Sequence, residues 1–228
     1  HNPNPLRLLE NIKKNLKING LVFLQTSQAD MILNNEFDTI YHEHISYYNI
    51  KSMLILCNRA GLNLIDVVKT PIHGTSYIFI ISADKSAPSN ILNLIRMEDA
   101  AGLFSDDTYK AYSHNCISKV SNFIEKVQYW REQGYKIIGY GAPAKGNTFL
   151  NYARVPLDYI IEDNKLKQGL FTPGSCIEIV GPEILNTFTE DDKILIIPMA
   201  WNFFDEIKKR VKAIRNVGSD IFLNIKEL

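Results

Sequence analysis

Residues 136–148 read KIIGYGAPAKGNT, a short apolar run that breaks at two glycines before a segment typical of a helix start. Gly139, Gly141 and Ala144 satisfy the spacing G-x-G-x-x-G/A. Glycines let the backbone pass close to a phosphate, and the first amides of the following helix donate to its oxygens. Lys145 adds a cation. The stretch predicts a strand, a phosphate-binding turn and a helix, and a turn without a ligand is the alternative.

Polar residues follow two further apolar runs of the same region. Glu162 and Asp163 lie about twenty residues beyond the turn, where dinucleotide-binding folds place an acid on a ribose hydroxyl. Trp201 and Asn202 follow the run ILIIP, at the predicted carboxyl edge of the sheet, where ligands of such folds bind. The alternatives are a solvated strand end for the acids and a packed surface position for the tryptophan.

Strands and helices alternate after Gly134. The pattern predicts strands at 136–140, 157–161, 193–198 and 220–225, a strand or loop at 177–180, and helices from Ala144, near Pro182 and over 203–214. This order predicts a Rossmann-like, doubly wound parallel sheet over residues 134–228.

The first part of the chain has its own α/β pattern. Helices are predicted over 5–17 and 50–60, each followed by a glycine and an apolar strand, at 21–26 and 62–68. Residues 1–85 are therefore predicted to form the end of a layered sheet, and the absence of an opening strand led us to expect amino-terminal truncation. Residues 86–133 are predicted to be a helical connector with a break at Phe104, where Ser105 caps the next helix.

Composition argues for a small-molecule ligand. The chain has 228 residues, 46% hydrophobic, and 25 basic residues balance 25 acidic ones, so no nucleic-acid or membrane partner is expected. Cys57, Cys116 and Cys176 lie far apart and are expected to be reduced thiols. No run of eighteen apolar residues and no secretory signal are present, which favours a cytoplasmic protein.

A second candidate site lies in residues 37–48, FDTIYHEHISYY, which concentrate two imidazoles, two carboxylates and three phenols. Such groups suit proton abstraction beside a carbonyl, because histidine accepts a proton near neutral pH and tyrosine donates to an oxyanion. His42, Glu43 and His44 are also residue types that bind metal ions. No HExxH spacing is present, however, and we predict no metal site. Polar packing of an interdomain loop is the third interpretation.

Five ordered segments resemble one family. They are IYHEH (40–44), PIHGTS (71–76), GYGAPAKGNTFLNY (139–152), IIEDNKLKQGLFTPGSCIEI (160–179) and IIPMAWNFFDEI (196–207). Together they resemble the S-adenosylmethionine-dependent C-methyltransferases that act on nucleotide-linked keto-deoxysugars. Such proteins have a zinc module, a methyl-donor domain and a Rossmann-like domain for the nucleotide sugar. The resemblance implies that this chain holds only the end of the donor domain, to about Thr70, with most of the S-adenosylmethionine site absent. Activity of this chain alone is not expected.

The resemblance also implies residue roles. The residue matching His44 is the base that removes the proton next to the sugar ketone, and residues matching Tyr41 and Glu43 lie beside it. His1 matches a further active-site histidine. The family's His-Gly-Gly-Ser reads His73-Gly74-Thr75-Ser76 here, and an expected basic residue is replaced near Ile78, so contacts there are expected to differ, and a strand-start bend is the alternative for Gly74.

The predicted reaction is methylation of a nucleotide diphosphate 4-keto sugar through its enolate, with a non-catalytic nucleotide- or NAD-binding module as the alternative. The predicted substrate-binding residues are Gly139, Gly141, Ala144, Lys145, Asn147, Glu162, His73, Trp201 and Asn202.

Overall fold

A computed structural model describes residues 1–26, 30–71, 75–84 and 90–228. The chain separates into two units, His1–Asn115 and Cys116–Leu228. The three-part division inferred from the sequence stays a prediction. Within the described ranges, no helix is both long enough and apolar enough to cross a membrane.

The first unit places helices against a small sheet. Its elements are α1 (Pro5–Asn15), β1 (Val22–Thr26), α2 (Ile50–Arg59), β2 (Asn63–Thr70), β3 (Ser76–Ser82), α3 (Asn90–Ala100) and the start of α4 (Asp106–Glu132). The predicted helices and strands before residue 71 are confirmed within a few residues, and the Asn4 side chain caps α1 by accepting from Arg7 N at 3.0 Å. The predicted break before α4 is also confirmed, since Ser105 Oγ accepts from Asp107 N at 3.3 Å.

The sheet of the first unit has the order β1-β3-β2, with β3 antiparallel to both neighbours. Sequence analysis gave no bounds for β3, although a strand-start bend was the alternative for Gly74. Its inward residues Tyr77, Phe79 and Ile81 form a core with residues of all three helices, among them Leu9, Met53 and Ile91. The pairing of β3 with both β1 and β2 and the packing of its side chains against the helices fix β3 in the middle of the sheet.

The second unit contains the parallel sheet. Its elements after α4 are β4 (Lys136–Tyr140), α5 (Ala144–Ala153), β5 (Tyr159–Ile161), β6 (Ile179–Val180), β7 (Ile194–Pro198), α6 (Phe204–Ile214) and β8 (Ile221–Phe222), with 3-10 helices at Pro182–Thr187, Trp201–Phe203 and Ile225–Glu227. All strand pairs are parallel, in the order β6-β5-β4-β7-β8. The predicted Rossmann-like sheet is confirmed. The helix predicted near Pro182 is a 3-10 helix, and the last strand is shorter than predicted because Ile225 enters a 3-10 helix.

The strand order reverses between β4 and β7, which lie side by side although α5, β5 and β6 separate them in sequence. Ile138 and Tyr140 of β4 pack with Ile207 and Val211 of α6. Gly139 faces the other side, because side chains alternate along a strand. In such sheets the reversal opens a crevice at the carboxyl ends of the two strands.

A buried cation ties together loops of the second unit. The side chains of Arg215 and Asp220 are 5% and 4% exposed, and Arg215 Nε lies 3.0 Å from an Asp220 oxygen. The guanidinium also donates to the carbonyls of Phe188, Thr189 and Asp192 at 3.0, 2.6 and 2.6 Å. Arg215 therefore organises the connections before β7 and before β8.

Candidate active site

The glycine turn follows β4 at the strand-order reversal. Gly141 has a φ of +92°, a left-handed conformation that favours glycine, and a Cβ there would lie 3.3 Å from Ala200 Cβ. A Cβ on Gly146 would lie 2.9 Å from Met199 Cβ. The turn and the residues after β7 are therefore pressed together, and glycine is required for this close approach.

The start of α5 directs backbone N–H groups toward the carboxyl edge of the sheet. Its N-cap residue, Pro143, provides no side-chain cap. Amides in this position, together with the helix dipole, favour an anion. Lys145 and Asn147 lie in the first turn, and the buried Asn147 Oδ1 has no hydrogen-bond partner in the described structure. These features suit a phosphate group with a polar neighbour.

Glu162 is bonded to the turn itself. Its Oε2 accepts from Ala142 N at 2.8 Å and its Oε1 accepts from Asn164 N at 3.0 Å. Lys167 Nζ lies 3.7 Å from Oε2. Partial burial raises the pKa of Glu162, but the backbone amides of Asn164, Ala142 and Asp163 together with the charge of Lys167 hold the pKa below its ordinary value. Glu162 is thus an ionised carboxylate within the loop structure.

Asp163 binds the side chains of Tyr140 in β4 and Arg210 in α6. Tyr140 OH donates to Asp163 Oδ1 at 3.1 Å, and Arg210 pairs with the other carboxylate oxygen. Burial, followed by the negative charge of Asp163, raises the pKa of Tyr140 to about 12. The two acids at the end of β5 therefore both have protein partners.

Trp201 begins the 3-10 helix that follows β7. Its ring lies 6.2 Å from the Phe149 ring of α5 in an edge-on arrangement. Trp201 is partly exposed, and Asn202 is exposed. The turn, the start of α5 and Trp201 therefore surround one edge of the parallel sheet, as the sequence pattern predicted.

His44 is the buried member of the loop at residues 37–48, with 9% of its surface exposed. Its Nδ1 lies 2.7 Å from the backbone carbonyl of Thr39. Because a carbonyl oxygen only accepts, Nδ1 carries the proton and donates, so the neutral ring presents the lone pair of Nε2. This hydrogen bond gives His44 the form required of a general base.

Aromatic rings surround His44. The Tyr41 ring centroid lies 4.2 Å from that of His44, and the His1 ring is stacked at 4.9 Å. Burial, then the charges of Glu43 and Asp38, raise the pKa of Tyr41. The structure thus brings three of the four predicted catalytic side chains into contact.

Glu43 differs from the other predicted catalytic residues. Its side chain is 58% exposed, and its carboxylate lies 3.9 Å from Nε2 of the exposed His42. Among the described residues, no group of three or more His, Cys, Asp or Glu has the geometry of a metal site. The predicted residue His73 lies outside the described residues.

Two contributors to the His44 site were missed by sequence analysis. The Thr39 carbonyl also accepts from Tyr47 OH at 3.2 Å, and the Tyr47 ring lies edge-on to His44 at 6.5 Å. Tyr47 was one of the phenols in the segment, but its role depends on a backbone oxygen. A backbone acceptor has no signature in the amino-acid sequence.

Comparison with known proteins covers nearly the whole chain. Residues 1–67 match the family model "Methyltransferase domain", and residues 71–225 match "C-methyltransferase C-terminal domain". The chain is 28% identical over 234 residues to C-methyltransferase NovU of Streptomyces niveus, an alignment that covers 100% of this chain and 55% of that protein. The chain thus spans about half the length of the curated relative it matches. With most of its length in one family model, the chain belongs to the C-methyltransferases that carry this C-terminal domain.

Proposed function

We propose that this chain is the carboxyl-terminal part of an S-adenosylmethionine-dependent C-methyltransferase that acts on a nucleotide-linked 4-keto-deoxysugar. The family match over residues 71–225 supports the reaction class. The observation that carries the proposal is the hydrogen bond from His44 Nδ1 to the Thr39 carbonyl, because it leaves a basic Nε2 among aromatic rings.

In the proposed mechanism, His44 Nε2 removes the proton from the sugar carbon next to the ketone. The electrons of the broken C–H bond form the enolate, and its oxygen becomes negative. The phenol of Tyr41, whose pKa is raised by burial and then by Glu43 and Asp38, stays protonated and donates to this oxygen. His1 stacks on His44 with 4.9 Å between the ring centroids, and it restricts the His44 ring.

The second unit holds the nucleotide diphosphate in this proposal. The first amides of α5 and Lys145 face the phosphates, Asn147 offers its buried oxygen to a donor on the ligand, and Trp201 with Asn202 borders the crevice. His73 is assigned to the substrate by the resemblance alone. Glu162 and Asp163 are already bonded, so a dinucleotide ribose would have to displace their partners. This supports a nucleotide sugar over the NAD-binding alternative.

S-adenosylmethionine supplies the methyl group when it is bound to such enzymes. The first unit does not fit a complete site for it, because the sequence of residues 1–115 contains no G-x-G turn motif after a strand. We therefore assign to this chain only the binding of the sugar nucleotide and the removal of the proton. The thiols of Cys57 and Cys176, which form no disulfide among the described residues, support our proposal of a cytoplasmic location.

Isothermal calorimetry tests the binding part of the proposal. We expect the 228-residue chain to bind a thymidine diphosphate sugar, and to bind S-adenosylmethionine and nicotinamide dinucleotide much more weakly. Dinucleotide binding as tight as sugar-nucleotide binding would contradict the proposal.

Solvent deuterium exchange at the sugar carbon next to the ketone tests the base in the intact enzyme. His44→Ala is expected to slow the exchange by about 10²–10⁴-fold. The matched control is His42→Ala, since this neighbouring side chain is 87% exposed and should leave the rate unchanged. Full exchange in the His44→Ala variant would overturn the assignment.

A further inference from the structure

The backbone of Ala142, in the glycine turn, is held from both sides by the segment that follows β5. Its N–H donates to Glu162 Oε2 at 2.8 Å, and its carbonyl accepts from Lys167 Nζ at 2.9 Å. The two charged groups lie 3.7 Å apart. An anion and a cation thus fix the donor and the acceptor of a single residue.

Glu162 is itself held in place for this contact. Its second carboxylate oxygen accepts from Asn164 N at 3.0 Å, and its backbone carbonyl accepts from Gln168 Nε2 at 2.8 Å. The Glu162 side chain is 15% exposed. Both carboxylate oxygens therefore serve the protein backbone, and the side chain has little surface left for a ligand.

The turn needs such a restraint. Ala142 follows Gly141, whose φ of +92° is in a region that glycine enters and leaves easily. The next residue, Pro143, is the N-cap of α5, and its side chain caps no backbone amide of the helix. A turn that fluctuates must be ordered when a ligand binds, and a turn ordered in advance avoids that cost.

We propose that Glu162 and Lys167 are positioning residues that lock the glycine turn in its ligand-binding shape, and that Glu162 does not contact the ligand. The proposal rests on the proposed function, in which the turn and the start of α5 receive the diphosphate of a nucleotide sugar. It reassigns the acid about twenty residues after a G-x-G turn, a position that in dinucleotide-binding folds contacts a ribose hydroxyl.

The test compares Glu162→Ala, Glu162→Gln, Lys167→Met and the double variant Glu162→Ala/Lys167→Met, with exposed Glu190→Ala as the control. Two quantities are measured on the 228-residue chain. The first is the hydrogen-exchange rate of the Ala142 amide by NMR without ligand. The second is the Kd for a thymidine diphosphate sugar by calorimetry.

Loss of the Ala142 hydrogen bond in Glu162→Ala is expected to speed exchange of that amide about tenfold, the factor that a bond of ordinary strength represents. Glu162→Ala and Lys167→Met should each raise the Kd for the sugar nucleotide by a similar factor. The Kd of the double variant should be no higher than that of the weaker-binding single variant, because both substitutions act on one turn. Glu162→Gln keeps an acceptor oxygen and should restore most of the protection. Glu190→Ala should change neither quantity.

Unchanged Ala142 exchange in Glu162→Ala together with lost binding would overturn the proposal, because the acid would then act on the ligand directly. Additive losses in the double variant would overturn it as well. If the unmodified chain binds no nucleotide sugar, the proposed function fails, while faster exchange in Glu162→Ala would still establish the restraint on the turn.

Discussion

Replacing Arg215 with methionine is expected to lower the free energy of unfolding of the second unit by about 3–5 kcal/mol, the cost of leaving a buried ionic partner uncompensated. The structure supports the upper part of this range. The substitution leaves Asp220, 4% exposed, without its cation, and removes donors from the carbonyls of Phe188, Thr189 and Asp192. With a urea m-value of about 2 kcal/mol/M, the unfolding midpoint should fall by about 1.5–2.5 M.

Tryptophan fluorescence in urea is the assay, because both tryptophans, Trp130 and Trp201, lie in the second unit and report on it alone. Arg210→Met is the matched control. Its ion pair with Asp163 is 56% and 44% exposed, so its loss should cost less than about 1 kcal/mol. Adding Asp220→Asn to Arg215→Met should recover part of the stability. Equal midpoints for the Arg215→Met and Arg210→Met variants would refute the reasoning.

Three further predictions concern the start of α5 and Glu162, which lie next to the glycine turn. Gly146→Ala places a methyl group 2.9 Å from Met199 Cβ, so the free energy of unfolding should fall by about 1–3 kcal/mol in urea unfolding, and an unchanged midpoint would contradict this packing. Asn147→Leu removes a buried oxygen that has no hydrogen-bond partner among the described residues, so stability in the same assay should rise by about 1 kcal/mol while calorimetry shows weaker sugar-nucleotide binding. A loss of stability would mean that the oxygen is bonded. Burial raises the pKa of Glu162, but hydrogen bonds from the Asn164, Ala142 and Asp163 amides and the charge of Lys167 together lower it below its ordinary value. The stability from this carboxylate is therefore fully present above the unfolded-state pKa of about 4.3 and is lost as the pH falls through the folded-state pKa. Urea midpoints of Glu162→Gln should depend less on pH in that acidic window than those of the unmodified chain, and identical profiles would contradict the prediction.

Much of the parallel sheet was predictable because its strands are buried on both faces. The runs at 137–140 and 194–198 are continuously apolar, and the strands predicted at 136–140 and 193–198 are observed with these bounds or within a residue of them. The short edge strands β6 and β8 were predicted less well. Their pairing depends on neighbours that are distant in sequence, and two residues leave little pattern to read.

The candidate site was predictable as a set of residue types but not as a set of contacts. The segment at 37–48 predicted a histidine base among phenols, and the structure brings His1, Tyr41 and His44 together. Which of the two loop histidines is buried, and which of its nitrogens is free, follows from the Thr39 carbonyl. The catalytic roles themselves stay predictions.

The amino-acid sequence by itself determined the order of helices and strands in the second unit, the position of the glycine turn and the family, because these depend on local apolar patterns and on motifs in a fixed order. Tertiary structure alone decided that β3 lies between β1 and β2, that Arg215 is buried with Asp220, and that Glu162 bonds to Ala142. The physical reason is that the β1–β3 pairing, the Glu162–Ala142 bond and the bonds from Arg215 to distant carbonyls join residues 20 or more positions apart. Many of these contacts end on backbone atoms. Every residue has a backbone carbonyl and nearly every residue has an N–H, so only the fold determines which of them a side chain meets.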